Sequence, residues 1–251
     1  MIRLCSVLAH CERMTKAQDF ELFCMAWMQV QPLRLRLGCP DAIAVDAFFK
    51  SGLCSASTKD LSLSLQRLES TGACQKLAKR WPFTPVRPHR KEAPTAFLNG
   101  AQAEACDGAI LQLVADTKGQ HLDALFQMKL TATGLTLNLA MIEAEHQKAV
   151  DFRRDPKAAR KAAKKARKAK KTKQAKEGEK GRKRKSPVPQ AANDDDRFLF
   201  VLITNRKLEN EVVPEALPRD TIVIGQDQLL DFFGPVLVAR ARLLSELPVE
   251  R

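Results

Sequence analysis

The chain has 251 residues, 45% of them hydrophobic and 28% charged, which suits one folded domain of ordinary size or two small ones. No stretch approaches about 18 consecutive apolar residues, so the sequence predicts no transmembrane helix and no membrane partner. Of the 42 Lys and Arg that give a net charge of +13, 18 lie in residues 153–185 beside three acids, a local +15. The remaining 24 basic and 26 acidic residues give −2, so the basic pI alone does not indicate that the whole surface binds nucleic acid.

Residues 1–80 are predicted to form a helical N-terminal region. Apolar stripes and N-cap residues indicate three helices, with starts near residues 16, 41 and 57 and ends near residues 30, 52 and 72. Seven cysteines lie in the first 106 residues without a CxxC pair, which predicts reduced thiols in an intracellular protein rather than disulfides or a zinc site. Four prolines between residues 82 and 94 indicate a loop and a boundary.

From residue 95 the pattern changes to strands. In chain order we predict strands at 96–98, 109–115 and 121–131, a helix over 135–152, strands at 197–207 and 221–225, a short helix capped by Asp227, and a last helix. The run 197–207 is apolar on both faces, as in an interior parallel strand. The fold class is therefore α/β, with a mixed central sheet and flanking helices over residues 95–152 and 197–245.

A basic, low-complexity insert over residues 153–196 interrupts this α/β body. Its alanines permit a solvent-exposed helix near 156–176, but dense like charge opposes a packed core. We expect nucleic acid to bind here without sequence specificity, and the cluster at 182–185, followed by Ser186-Pro187, is typical of nuclear import. The alternative is a solvated loop without a specific partner. The cations expected to contact nucleic acid or an import receptor are Lys164, Lys165, Arg167, Lys168, Lys170, Lys171, Arg182, Lys183, Arg184 and Lys185.

Three polar residues have the spacing of a phosphodiesterase site. Hydrolysis with Mg²⁺ needs carboxylate oxygens that hold the metal and a cation that steadies the developing charge. One compact arrangement places an Asp at the start of one strand and an acid-x-Lys pair on the next, where i, i+2 spacing sends both side chains to one face. Asp107 stands at a predicted strand start, and Gln127 and Lys129 follow with this spacing. Asp107-Gly108 is also an ordinary turn signal.

Together with the order of elements and the ending Phe232-Phe233-Gly234-Pro235, these residues resemble the PD-(D/E)xK nuclease superfamily. The likeness is closest to the restriction-endonuclease-like domains of crinkler effectors and retrotransposon hot spot proteins. It implies that Asp107 and Gln127 bind Mg²⁺ and that Lys129 is catalytic. Gln127 replaces the second acid, which removes one negative charge and lowers the expected metal affinity. The resemblance also implies a helix-borne Glu, either Glu21 or Glu69.

Two functional hypotheses follow from the sequence. The first is a nuclear, nuclease-like protein that binds DNA or RNA through the insert and hydrolyses phosphodiesters with Mg²⁺. The second is a catalytically inactive effector, or a chromatin or protein interaction module, on the same fold. A ribosome-biogenesis factor with a basic arm ranks last, because it explains the insert but not the α/β body.

Overall fold

The computed structural model describes residues 17–35, 42–64, 75–76, 96–98, 106–131, 135–154, 197–234 and 238. Its helices are α1 (Ala17–Leu35), α2 (Val45–Phe48), α3 (Leu139–Arg154) and α4 (Gln226–Phe233), with short 3-10 turns at Ala56–Asp60 and Pro214–Ala216. No helix in these ranges combines the length and the hydropathy that crossing a membrane requires. The strands are β1 (Ala42–Ala44), β2 (Leu53–Cys54), β3 (Leu61–Ser64), β4 (Gln75–Lys76), β5 (Ala96–Leu98), β6 (Gly108–Asp116), β7 (His121–Lys129), β8 (Thr136–Leu137), β9 (Phe198–Thr204), β10 (Lys207–Leu208) and β11 (Thr221–Ile224).

One mixed sheet carries the fold, which confirms the predicted α/β class. Its strand order is β1-β3-β6-β7-β9-β11-β2, with β5 also beside β6 and β4 beside β5. Strand β9 runs parallel to both β7 and β11, whereas β6 pairs antiparallel with β3, β5 and β7. All seven residues of β9 are buried and apolar except its last, Thr204, as expected for a strand with both faces covered.

The two faces of the sheet bury two hydrophobic clusters. On one face, Phe126 and Met128 of β7 lie in a cluster with the aromatic residues of α1. On the other face, Leu125 lies in a cluster with Ile142 and Ala149 of α3. Because side chains alternate along a strand, the odd-numbered residues of β7 share the α3 face. This alternation directs Gln127 and Lys129 toward α3.

The predictions for the N-terminal region are wrong over part of its length. Helix α1 is confirmed and extends to Leu35, but the second predicted helix shrinks to α2, because residues 42–44 pair with β3. The third predicted helix is replaced over its first part by a 3-10 turn and β3, and its remainder at 65–72 lies outside the described residues. In β3 the buried Leu61 and Leu63 alternate with half-buried serines. This period of two suits a strand, and pairing with β6 stabilises it.

Most predictions after residue 95 are confirmed. Strands β5, β6, β7, β9 and β11, the turn before His121 and helix α3 lie where the sequence indicates. The predicted cap at Asp227 is wrong, because Gly225 is the N-cap residue and its N–H donates to Gln228 Oε1 at 3.0 Å. The predicted last helix beyond Gly234 lies outside the described residues, apart from Val238.

Ion pairs anchor the chain on both sides of the segment 155–196. Arg153, at the end of α3, donates to Asp123 Oδ2 at 2.9 Å and covers the ring of Phe198 at 5.5 Å. Arg197 donates to both carboxylate oxygens of Asp220, at 2.6 and 3.0 Å. Since Asp123 and Phe198 are register partners on β7 and β9, both anchors lie near the start of these strands.

Candidate functional site

Asp107 and Gln127 converge, as the sequence predicts. Asp107 directly precedes β6, and its backbone N–H donates to the carbonyl of Phe126 on β7 at 2.8 Å. This pairing turns the carboxylate toward β7, where Oδ2 accepts hydrogen bonds from Gln127 Nε2 at 2.5 Å and from the backbone N–H of Met128 at 2.6 Å. Two residues that lie 20 positions apart in the chain are therefore in direct contact.

Lys129 continues this site along the same face of β7. Its Nζ lies 2.5 Å from Glu145 Oε1 on α3, and the same oxygen lies 2.6 Å from Nζ of Lys148. The side chain of Lys129 is 32% exposed, so the amine lies beside the helix without being buried under it. The site thus runs from Asp107 and Gln127 to a lysine pair that shares one carboxylate.

The two carboxyl groups of the site titrate differently. Burial raises the pKa of Asp107 to about 6, although the Met128 N–H and the charge of Lys129 act to lower it; the negative charge of Glu145 adds to the rise. Burial also acts to raise the pKa of Glu145. There it is outweighed by hydrogen bonds and charge from Lys129 and Lys148, so the pKa of Glu145 is lowered. At Asp107, therefore, nearby positive charge does not outweigh the effect of burial.

Sequence reasoning missed Glu145. It sought a helix-borne acid before the first strand of the core, at Glu21 or Glu69. Glu21 lies half-buried on α1, where its charge helps to raise the pKa of Cys24 after burial itself, and Glu69 lies outside the described residues. The available signal was the i, i+3 spacing of Glu145 and Lys148 on a predicted helix, but it does not reveal that Lys129 meets them.

The donor atoms are compatible with one weakly held Mg²⁺ ion. Within the part of the chain that the structure describes, no three His, Cys, Asp or Glu residues form a metal-binding group. Neither Oδ1 of Asp107 nor Oε1 of Gln127 accepts a hydrogen bond from the described residues. Both are hard oxygen ligands of the kind that Mg²⁺ prefers, but only one is anionic.

Thiolate ligands do not supplement these oxygens. The described cysteines, Cys24, Cys54 and Cys106, form no disulfide with one another. Burial raises the pKa of all three, that of Cys54 to about 11, so they are protonated at neutral pH. The site is therefore one of oxygen and ammonium groups.

Comparison with protein-family models, curated proteins and solved structures finds no match to this chain. Functional inference consequently rests on the site itself. The predicted nucleic-acid and import residues of the insert, between Lys164 and Lys185, lie outside the described residues.

Proposed function

We propose that this protein is a nuclease-like, nucleic-acid-binding protein whose site lies at the carboxyl end of β7. The observation that carries the proposal is the contact between Asp107 and Gln127 on neighbouring strands, with Lys129 on the face that Gln127 shares.

The arrangement of the core supports a restriction-endonuclease-like fold. Strands β6 and β7 form an antiparallel pair, α3 follows, and β9 returns parallel to β7. Asp107 precedes the first strand of this unit, while Gln127 and Lys129 occupy the end of the second. This is the order and placement that the resemblance to the PD-(D/E)xK superfamily implies.

Each site residue has a role in phosphodiester hydrolysis. Mg²⁺ held by Asp107 and Gln127 would supply Lewis-acid stabilisation of the phosphate oxygens. Lys129 holds its ammonium group at the open side of the site and steadies negative charge that develops on the phosphate. Glu145 fixes the Lys129 amine by ion pairing. The proposed cleavage is slow, because a single carboxylate binds Mg²⁺ weakly.

A second candidate function is nucleic-acid binding without cleavage. Gln127 directs Nε2 at the carboxylate of Asp107, and Glu145 neutralises part of the charge of Lys129. Both features weaken catalysis more than binding. In either case, we propose that the insert binds DNA or RNA through its cations and that the cluster at 182–185 directs the protein to the nucleus through an import receptor.

Plasmid nicking tests the proposal. Supercoiled DNA should be relaxed in Mg²⁺ or Mn²⁺ and not in EDTA, and Lys129→Ala should abolish the reaction because the cation beside the phosphate is lost. Lys118→Ala provides the matched control, since Lys118 lies in the turn after β6, away from the site. Cleavage that is equal in wild type and Lys129→Ala would contradict the hydrolytic proposal. Absence of cleavage with retained DNA binding would favour the binding module.

A further inference from the structure

Beyond Lys129, the end of β7 is tied to the end of β9 by a polar cluster. Thr131 donates its backbone N–H to Asn205 Oδ1 at 2.9 Å, and Asn205 Nδ2 donates to the carbonyl of Thr131 at 2.8 Å. Thr204 Oγ1 donates to the carbonyl of Lys129 at 2.9 Å. These bonds fix the backbone at the carboxyl edge of the two parallel strands.

Arg206 is held at this edge, and the described residues give it no counter-charge. Its Nε donates to Thr131 Oγ1 at 3.2 Å, and Nη1 lies 3.5 Å from Met141 Sδ in the first turn of α3. Among the described residues, Arg206 contacts no carboxylate. A positioned guanidinium with free donors matches the geometry of a phosphate group.

Two more cations continue the line along α3. One face of the helix carries Met141, Glu145 and Lys148. Arg206 contacts Met141, and Lys129 contacts Glu145. The seven residue steps from Met141 to Lys148 span about 10 Å of helix. That length corresponds to about three base-pair steps along the axis of a B-form duplex. Glu145 offsets one of the three positive charges, and the side chain of Lys148 is 52% exposed.

The basic insert joins the fold at the other end of β7. One of its anchors, Arg153, contacts Asp123, and Lys129 lies six positions after Asp123 on β7, about 20 Å of strand. Arg206 and Lys148 are held on the folded core near Lys129, by Thr131 and by Glu145 respectively. This inference rests on the proposed function, which supplies nucleic acid as the partner. The geometry assigns Arg206 and Lys148 to bind backbone phosphates of the nucleic acid and to position the strand over Lys129.

Salt-dependent binding of the full-length protein tests this assignment. Fluorescence anisotropy with labelled duplex DNA, and separately with duplex RNA, between 50 and 200 mM salt gives the slope of log Kobs against log salt. Arg206→Gln and Lys148→Gln should each lower the slope by about one and weaken binding about five-fold near 150 mM salt. Lys118→Gln, with the same charge change in the turn at the opposite end, should move both values less.

The outcomes separate the surface from the proposed function. If both Arg206→Gln and Lys148→Gln keep the wild-type salt slope, this assignment is overturned. If replacing the ten insert cations with Gln then abolishes the slope, nucleic acid binds the insert alone. No binding of wild type to either duplex would overturn the proposed function and this surface with it. If Arg206→Gln lowers the melting temperature, the exposed Lys148 decides.

Discussion

At the scale of single residues, Asp107 and Glu145 show how position decides the charge of a carboxyl group. Both are substantially buried, but Glu145 lies between two lysines, whereas Asp107 receives only N–H donors and a more distant charge from Lys129. Burial therefore prevails at Asp107, and its pKa rises to about 6. The carboxyl group nearest the proposed metal position is the one that a cation would stabilise most.

Asp107→Asn should stabilise the metal-free protein above pH 6. Because the pKa of Asp107 is raised from 3.8 to about 6, the native state binds the extra proton between these values, and stability falls as the pH rises through this window. Asparagine keeps an acceptor for the Met128 N–H and removes the charge. We expect a gain of about 2 kcal/mol at pH 7 that vanishes near pH 4. Urea unfolding in EDTA measures it; a gain independent of pH would contradict the assignment.

Gln127→Glu should create a tighter Mg²⁺ site. A second carboxylate beside Asp107 adds an anionic ligand, while without metal the two like charges repel. We expect the melting temperature to fall below that of wild type in EDTA and to rise above it with millimolar Mg²⁺, with affinity about ten-fold higher. Gln120→Glu in the turn before His121 is the matched control. A Gln127→Glu protein that remains insensitive to Mg²⁺ would exclude Asp107 and Gln127 as a metal site.

At the scale of elements, a buried ion pair lies where the parallel strands β9 and β11 start. Asp220 is 2% exposed, and Arg197 supplies two donors to it while also approaching Asp116 at 3.5 Å. Arg197 directly precedes Phe198, where β9 begins. This pair therefore sets where the chain re-enters the sheet after the insert.

Arg197→Ala should strongly destabilise the protein. Removing the guanidinium leaves a buried carboxylate whose remaining ion pair among the described residues is with the exposed Arg219, and breaking such a pair costs about 3–5 kcal/mol. Replacing Asp220 with Asn in the same chain should recover part of the loss, because the uncompensated charge disappears. Denaturant midpoints of the two single variants and the double variant measure this coupling. Equal stability of Arg197→Ala and wild type would show that Asp220 is stabilised elsewhere.

Local pattern was sufficient to predict elements whose residues have one consistent period. The apolar run of β9 and the alternation in β7 determine both their type and their burial. Residues 61–64 carry two compatible patterns, since leucines at 61, 65 and 68 fit a helix while Leu61 and Leu63 fit a strand. Pairing with β6, which lies about 50 residues later in the chain, selects the strand.

The residues of the candidate site differ in the same way in how far local sequence predicts them. Asp107, Gln127 and Lys129 were predictable because they lie on adjacent strands and share a strand period. Glu145 was not, since its position depends on how α3 sits on the sheet. That placement is set by the contacts of Ile142 and Ala149 with the sheet, which no short sequence window contains.

At the scale of the whole molecule, positive charge is divided between two ends of one sheet. The insert joins the fold beside Asp123, while Arg206 and Lys148 lie at the opposite edge. The insert carries most of the cations and is expected to provide most of the affinity for nucleic acid. The core edge provides the contacts that determine where the strand lies.

Deleting residues 157–185 should remove most of the salt dependence and leave the fold intact. If ~6–10 insert cations contact phosphates, wild type loses ~10³–10⁵ in affinity between 50 and 200 mM salt, and the deleted protein should keep a slope of about two from the core edge. Nuclear accumulation of a fluorescent fusion should disperse. Circular dichroism should be native, because Asp123 and Phe198 hold the two sides of the deletion in register. Unfolding, or an unchanged slope, would contradict this division.

Strand β9 lies between β7 and β11, in the interior of the sheet, although it comes after the segment 155–196. Its two neighbours thus belong to opposite sides of that segment: β7 precedes it and β11 follows β9. Cutting the backbone inside 155–196 would convert the β7–β9 ladder into an interface between two polypeptides that share one core. We therefore expect two fragments divided inside this segment to reconstitute the fold by complementation, and a domain inserted at this position to interrupt none of the described strands.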